Sequence, residues 1–127
     1  MADAWDLTKY VEAHPDNLEQ RWRLAKKLYK EGEYRLATEH LQILDNEWKD
    51  KSSIPRYLAA TYSRLSRFED AVTVLERAVE VWSDDVKMRE QLAMMYVANG
   101  NKDAAKRAWA EVLVLDPKHP YAKSAGR

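Results

Sequence analysis

The 127-residue chain has no cysteine. That absence removes disulfides, thiolate nucleophiles and cysteine metal sites at once, and it fits a reducing compartment. Glycine occurs three times and proline four, too few for the tight turns of an all-β fold. Neither sign of charge is in excess. Lys+Arg and Asp+Glu number 21 each, which argues against a generally basic nucleic-acid binder. No apolar run approaches the length that spans a bilayer. The N-terminal stretch MADAWDLTKYV has neither the basic region nor the apolar core of a secretory signal. The expectation is a cytoplasmic protein with no membrane span and no nucleic-acid partner.

What is present is helical. Apolar residues make up 46% and charged residues 33%, the balance of a folded, patterned chain. Alanine, leucine, lysine, glutamate and arginine, the strong helix formers, are abundant. The segment YVANGNKDAAKRAW, residues 96–109, joins two helix-like pieces at Asn99-Gly100-Asn101. Such a glycine either cradles an anion with bare N–H groups or ends a helix in the left-handed conformation. Spacing decides between them. Thirty-four residues before Gly100 stands Ser66, and thirty-four before that stands Gly32. The same period aligns Leu24, Leu58 and Leu92, each followed by Ala25, Ala59 and Ala93. It also aligns Leu28/Tyr62/Tyr96, Ala37/Ala71/Ala105, Leu41/Leu75/Trp109 and Leu44/Ala78/Val112. Six positions held in register over three copies are a repeat.

Each copy reads as two helices, so Gly32 and Gly100 are read as helix C-caps where the chain reverses. Ser66-Arg67-Phe68-Glu69 has the S-x-x-E form of a capping box before the second helix of the middle copy. Asn17-Leu18-Glu19-Gln20 is a start signal for the first copy, and Ser52-Ser53 is an N-cap before Ile54-Pro55. Asp84-Asp85 gives the third copy a negative helix start.

A 34-residue helix-turn-helix unit with this Leu-Ala, aromatic, small and bulky pattern, closed by Asp116-Pro117, resembles the tetratricopeptide repeat. The resemblance covers residues 18–119. It implies an all-α fold, a right-handed α-α superhelix of three repeats at 18–51, 52–85 and 86–119. A half repeat at 2–16 precedes them, since Leu7, Tyr10 and Pro15 fall where Leu41, Leu44 and Lys49 fall one repeat later. A tail at 120–127 follows, and the whole reads as one domain over 1–127. Three departures stand out. The family's early aromatic is replaced by Arg21, Pro55 and Arg89, and its closing proline is missing at Lys49 and Ser83. Asp45 and Glu47 stand where the other repeats are apolar, which is expected to loosen the end of the first repeat. Residues 118–127 offer at most a single turn after Pro120, too short to cover the last apolar face.

Chemistry is sparse. His14, His40 and His119 are scattered and read as surface or helix-end residues, with no metal-ligand spacing. The expectation is no enzyme, no cofactor and no metal. Of five tryptophans, Trp109 fills a bulky core position. Trp48 and Trp82, one repeat apart, either pack repeat boundaries or form an outer binding surface, and Trp5 is placed to cover the start of the stack.

The resemblance implies a concave groove lined by the first helix of each repeat. Its partner-binding residues would be Trp22, Lys26, Tyr29 and Lys30, then Arg56 and Arg64, then Glu90, Met94 and Val97. On this reading Trp22 and Tyr29 are exposed among four cations opposed by Glu19 alone. The implied function is a non-enzymatic scaffold that binds a peptide or helix of another protein, acidic in one part and apolar in another. The alternative is a self-assembly module, a homo-oligomer joined through the ends of the stack, or a fragment of a longer repeat protein. Family members that clamp a chaperone's terminal carboxylate use positions that here read Trp22, Lys26, Ala60, Glu90 and Met94. Only the lysine matches, so that clamp is not expected.

Overall fold

The computed structural model describes residues 4–125, with side chains from Asp6 onward. The expectation for Trp5 concerns a side chain outside the described residues. Among the described residues there are helices and no strand: α1 (Ala4–Ala13), α2 (Leu18–Lys30), α3 (Tyr34–Glu47), α4 (Ser53–Arg64), α5 (Phe68–Val81), α6 (Val86–Ala98), α7 (Lys102–Leu115) and α8 (Pro120–Ala125). The chain divides into two compact units, Met1–Leu65 and Ser66–Arg127. In the N-terminal unit α2 packs on α1 and α3, and α3 packs on α4. In the C-terminal unit α6 packs on α5 and α7, and α8 packs on α7.

The repeat positions form the core. Every residue of the six aligned sets is buried except Tyr96, which is half-buried. Ala25, Ala59, Ala71 and Ala93 have no exposed surface at all. Small side chains at these points let helix axes approach to about 8–10 Å while leucines fill the flanks. Burying each leucine contributes about 1.5–3 kcal/mol.

A second device recurs at the repeat period. Gln42 of α3 donates to the Tyr62 hydroxyl of α4 at 2.7 Å, and the Tyr96 hydroxyl of α6 donates to Glu76 of α5 at 2.6 Å. Each residue of the first pair lies one repeat before its counterpart in the second. Burial, and then the bond to Glu76, push the Tyr96 hydroxyl up to about 12.

The turns answer the glycine question. Gly32 and Gly100 both have φ +81°. Gly32 N–H donates to Tyr29 O and Glu33 N–H to Leu28 O; Gly100 N–H donates to Val97 O and Asn101 N–H to Tyr96 O. These paired bonds close the last turn of α2 and of α6 in the Schellman pattern. Ser66 departs from its expected role. It carries φ 58°, the left-handed turn position that glycine fills in the other repeats, and so cannot serve as an N-cap. The N-cap of α5 is Arg67, with no side-chain capping bond; its Nε instead pairs with Asp70 at 2.9 Å. The start signals at Asn17 and Asp85 hold: they accept from Gln20 and Met88 backbone N–H groups, and Asn101, which was not singled out, accepts from Ala104 N–H in the same way. Ser52 stands at the N-cap of α4 but makes no capping bond.

The arginines at the early-aromatic position have their own logic. Arg21 donates to Pro15 O at 3.1 Å, and Arg89 donates to Ser83 O at 2.8 Å. In both cases the acceptor lies six residues back, in the turn before the first helix. A guanidinium with several donors ties down that turn where a ring would only fill space. Asp45 and Glu47 do not shorten α3, which is 14 residues long like α5 and α7.

At the C-terminus the structure improves on a single turn. His119 Nδ1 accepts from Ala122 N–H at 3.1 Å, which caps α8 ahead of Pro120. Ala122 is buried with Trp109 and Val112, and Tyr121 meets Trp109 edge-on at 4.8 Å. Val114, on the side of α7 turned away from Trp109 and Val112, is 80% exposed. Enlarging Ala59, Ala71 or Ala105 to leucine is expected to cost about 1–3 kcal/mol each by overpacking. Thermal melts that leave all three variants at the wild-type midpoint would remove the alanines from the closest helix contacts.

Candidate functional site

The candidate site is built in the N-terminal unit from α2, α4 and the start of α3. Four rings form a row. Trp22 meets Tyr57 edge-on at 5.0 Å, Tyr57 meets Tyr29 at 5.5 Å, and Tyr29 meets Tyr34 at 5.4 Å. Edge-to-face pairs of this kind contribute about 0.5–1.5 kcal/mol each beyond burial. A cation sits at each end. Lys26 Nζ lies 4.9 Å from the Trp22 ring, and the Arg64 guanidinium lies 6.0 Å from Tyr34. The hydroxyl of Tyr29, and then that of Tyr34, raise the already high pKa of Arg64.

Trp22 differs from expectation. It is only 7% exposed, because Tyr57 from the next first helix lies against its ring and the Lys26 ammonium lies over it. Trp22 is therefore a packed anchor of α2 on α4 and not an open contact. Tyr29 is half-buried, Lys30 and Arg64 are exposed, and Arg56 is half-buried. Tyr57 and Tyr34 were missed by the groove register, since neither stands at a position that the resemblance assigns to binding. Their tyrosine character was visible in the sequence; the convergence of helices that makes them a row was not.

The remaining predicted residues lie in the C-terminal unit. Glu90 accepts from His119 Nε2 at 2.6 Å, so its carboxylate helps seat α8. Met94 and Val97 are 56% and 55% exposed. They lie on α6, whose other face buries Met88, Leu92 and Ala93, so this helix is apolar on two sides.

The other singled-out residues stand at helix ends or in contacts between helices. Trp48 and Trp82 are the C-caps of α3 and α5, both half-buried, with Lys51 Nζ 5.2 Å from the Trp48 ring. His14 stacks on Tyr10 at 4.2 Å. His40 is no surface residue. Its Nδ1 lies 3.0 Å from Arg21 Nη1 and accepts from that guanidinium. Arg21 is itself buried, with an Nε that has no hydrogen-bond partner among the described residues. Among the described residues no three His, Asp or Glu side chains converge as metal ligands. No described helix is long and apolar enough to cross a membrane.

Burial first, and then the Arg21 charge, lower the His40 pKa below 6.5 against the opposing pull of Glu39 and Glu12. The unfolded chain therefore binds more protons there, and stability is lost as pH falls below about 6.5. Urea melts at pH 7.5 and pH 5 are expected to show this loss, and His40→Gln to reduce it; equal losses in both proteins would exclude His40 as the cause. Trp22→Ala is expected to cost about 3–5 kcal/mol of stability, with a lowered denaturation midpoint as the readout.

The architecture is that of tetratricopeptide-repeat proteins. The tetratricopeptide repeat family model matches residues 56–83. The chain is 30% identical over 103 residues to "Uncharacterized protein ycf37" of Cyanophora paradoxa. That match covers 79% of this chain and 58% of the relative, so the chain spans less than two thirds of that protein. Among solved structures, the crystal structure of MamA superposes with TM-score 0.86 at 20% identity, over 97% of this chain and 72% of that one. MamA 41-end from Desulfovibrio magneticus RS-1 gives 0.82 at 15% identity, over 97% and 70%. The first TPR of Spaghetti (RPAP3), bound to the HSP90 peptide SRMEEVD, gives 0.76 at 22% identity, over 87% of each chain.

Proposed function

We propose that the protein is a non-enzymatic scaffold that binds an acidic peptide or helix of another protein on the ring row of its N-terminal unit. The observation that carries this reading is the row itself, with Lys26 at one end and Arg64 at the other and Lys30 exposed nearby in sequence. Packed tyrosines offer large, rigid contact area at low entropic cost, and the cations draw in carboxylates and speed encounter. The structural neighbour whose bound peptide is SRMEEVD, a segment with three acidic residues, supports this use of the fold. Met94 and Val97 on α6 offer a separate apolar surface for a larger partner.

The test begins with affinity capture on the purified protein and identification of the bound chain. Association of that partner is then followed with variants. Arg64→Glu combined with Lys30→Glu is expected to slow association and flatten its salt dependence. Tyr29→Ala is expected to speed dissociation. A partner that binds all of these as it binds the wild type places the site elsewhere, with the Trp48 and Trp82 side next to be tried.

A further inference from the structure

The turns before the first helices follow a capping rule that one position breaks. Asn17, Asp85 and His119 occupy the same repeat position as Lys51. Each accepts from the backbone N–H three residues on, at Gln20, Met88 and Ala122. A lysine ammonium carries donors only and cannot do this. Lys51 Nζ lies instead 5.2 Å from the Trp48 ring, and α4 begins without a side-chain capping bond. At this turn a cap is replaced by a cation on an indole.

The fold does not demand that indole. Of the positions equivalent to Trp48, one holds Trp82, but the others hold His14 and Asp116. His14 is exposed, and Asp116 is the C-cap of α7 as Trp48 is the C-cap of α3. Trp48 is half-buried and lines a cleft of about 740 Å³ against the turn between α1 and α2. Both walls belong to successive turns of the N-terminal unit. Pro15 and Leu18 supply apolar surface in the cleft, and Asp16 and Glu19 supply two exposed carboxylates. Among the described residues neither carboxylate is in an ion pair. The lining contains no lysine or arginine, so Lys51 covers a part of the ring outside the cleft.

We infer that this cleft binds an arginine on a basic segment of a partner protein. The guanidinium stacks on Trp48 and pairs with Asp16 and Glu19, while the methylene stem lies on Pro15 and Leu18. Arginine fits because its planar cation suits an aromatic face and its N–H fork suits carboxylates. An acidic segment would meet like charge here and is disfavoured. Lys51 shows that the indole accepts a cation, and it opposes the entering guanidinium as a like charge. The cleft shares no residue with the ring row and has the opposite sign, so either site can fail without the other.

The probe is a labelled peptide that alternates arginine with glycine, followed by fluorescence anisotropy. Its controls carry citrulline, which keeps the shape without the charge, or glutamate in place of arginine. The arginine peptide is expected to bind saturably, and neither control to bind. Trp48→His, and separately Asp16→Lys with Glu19→Lys, are each expected to weaken binding by about tenfold. Lys51→Gln is expected to tighten it by about threefold. Glu80→Lys with Asp103→Lys makes the same charge change at exposed acids of the C-terminal unit and is expected to leave binding unchanged. Arg64→Glu is expected to leave it unchanged too. The four reversed carboxylates are exposed, so unaltered melting curves accompany both pairs. No saturable binding, equal binding of the citrulline peptide, or equal loss in the two reversed pairs overturns the inference. Indifference to Trp48→His, or a loss on Lys51→Gln, overturns it as well. Self-association that Asp16→Lys with Glu19→Lys abolishes also overturns it, and gives the cleft to a second copy.

Discussion

The close approach of helices at the repeated alanines is the constraint on which the rest of this structure depends. A larger side chain at Ala25, Ala37, Ala93 or Ala105 would push paired helices apart, and the leucines beside them would lose their partners. With the alanines in place, the flanking positions tolerate variety. Leu41 and Trp109 occupy equivalent core positions despite very different volumes. The tyrosine hydroxyls of α4 and α6 then fix each first helix to the second helix before it, through Gln42 in one repeat and Glu76 in the next. Apolar burial supplies the bulk of the stabilisation, and these bonds supply register.

Polar groups take over where the repeat departs from the tetratricopeptide pattern. Arg21 and Arg89 each bind a turn carbonyl six residues back, and each finds a second partner on the following helix, His40 for one and Glu111 for the other. The acceptor differs in kind. Glu111 is a carboxylate on an exposed rim, whereas His40 must stay neutral to accept from a buried guanidinium. At that point the C-terminal unit has an ordinary ion pair, and the N-terminal unit a neutral acceptor that protonation would remove.

The two ends of the described chain are finished unequally. At the C-terminus His119 performs two tasks with two ring nitrogens: Nδ1 caps α8 and Nε2 binds Glu90. A six-residue helix is thereby held against Trp109, and an apolar face is partly closed. At α1 no such device exists among the described residues.

The period, the helix pairs, the core alanines and leucines and the glycine turns were all legible in the sequence, because each follows from local spacing or backbone sterics. A 34-residue register is enough to say which residues face inward. It was not enough to say which groove-facing residues remain open to solvent. Trp22 stands at a groove position in every sequence-level sense, yet the approach of α4 lays Tyr57 against it and buries it. Ser66 read as an N-cap from its i, i+3 glutamate, but the chain reversal required a left-handed residue there and took the serine. His40 read as a surface residue until the fold brought Arg21 to it from nineteen positions away. In each case the deciding contact joins residues on different elements, and no local pattern encodes it. The sequence by itself determined the repeat and its core; only the tertiary structure decided which aromatic rings are covered and which cations flank them.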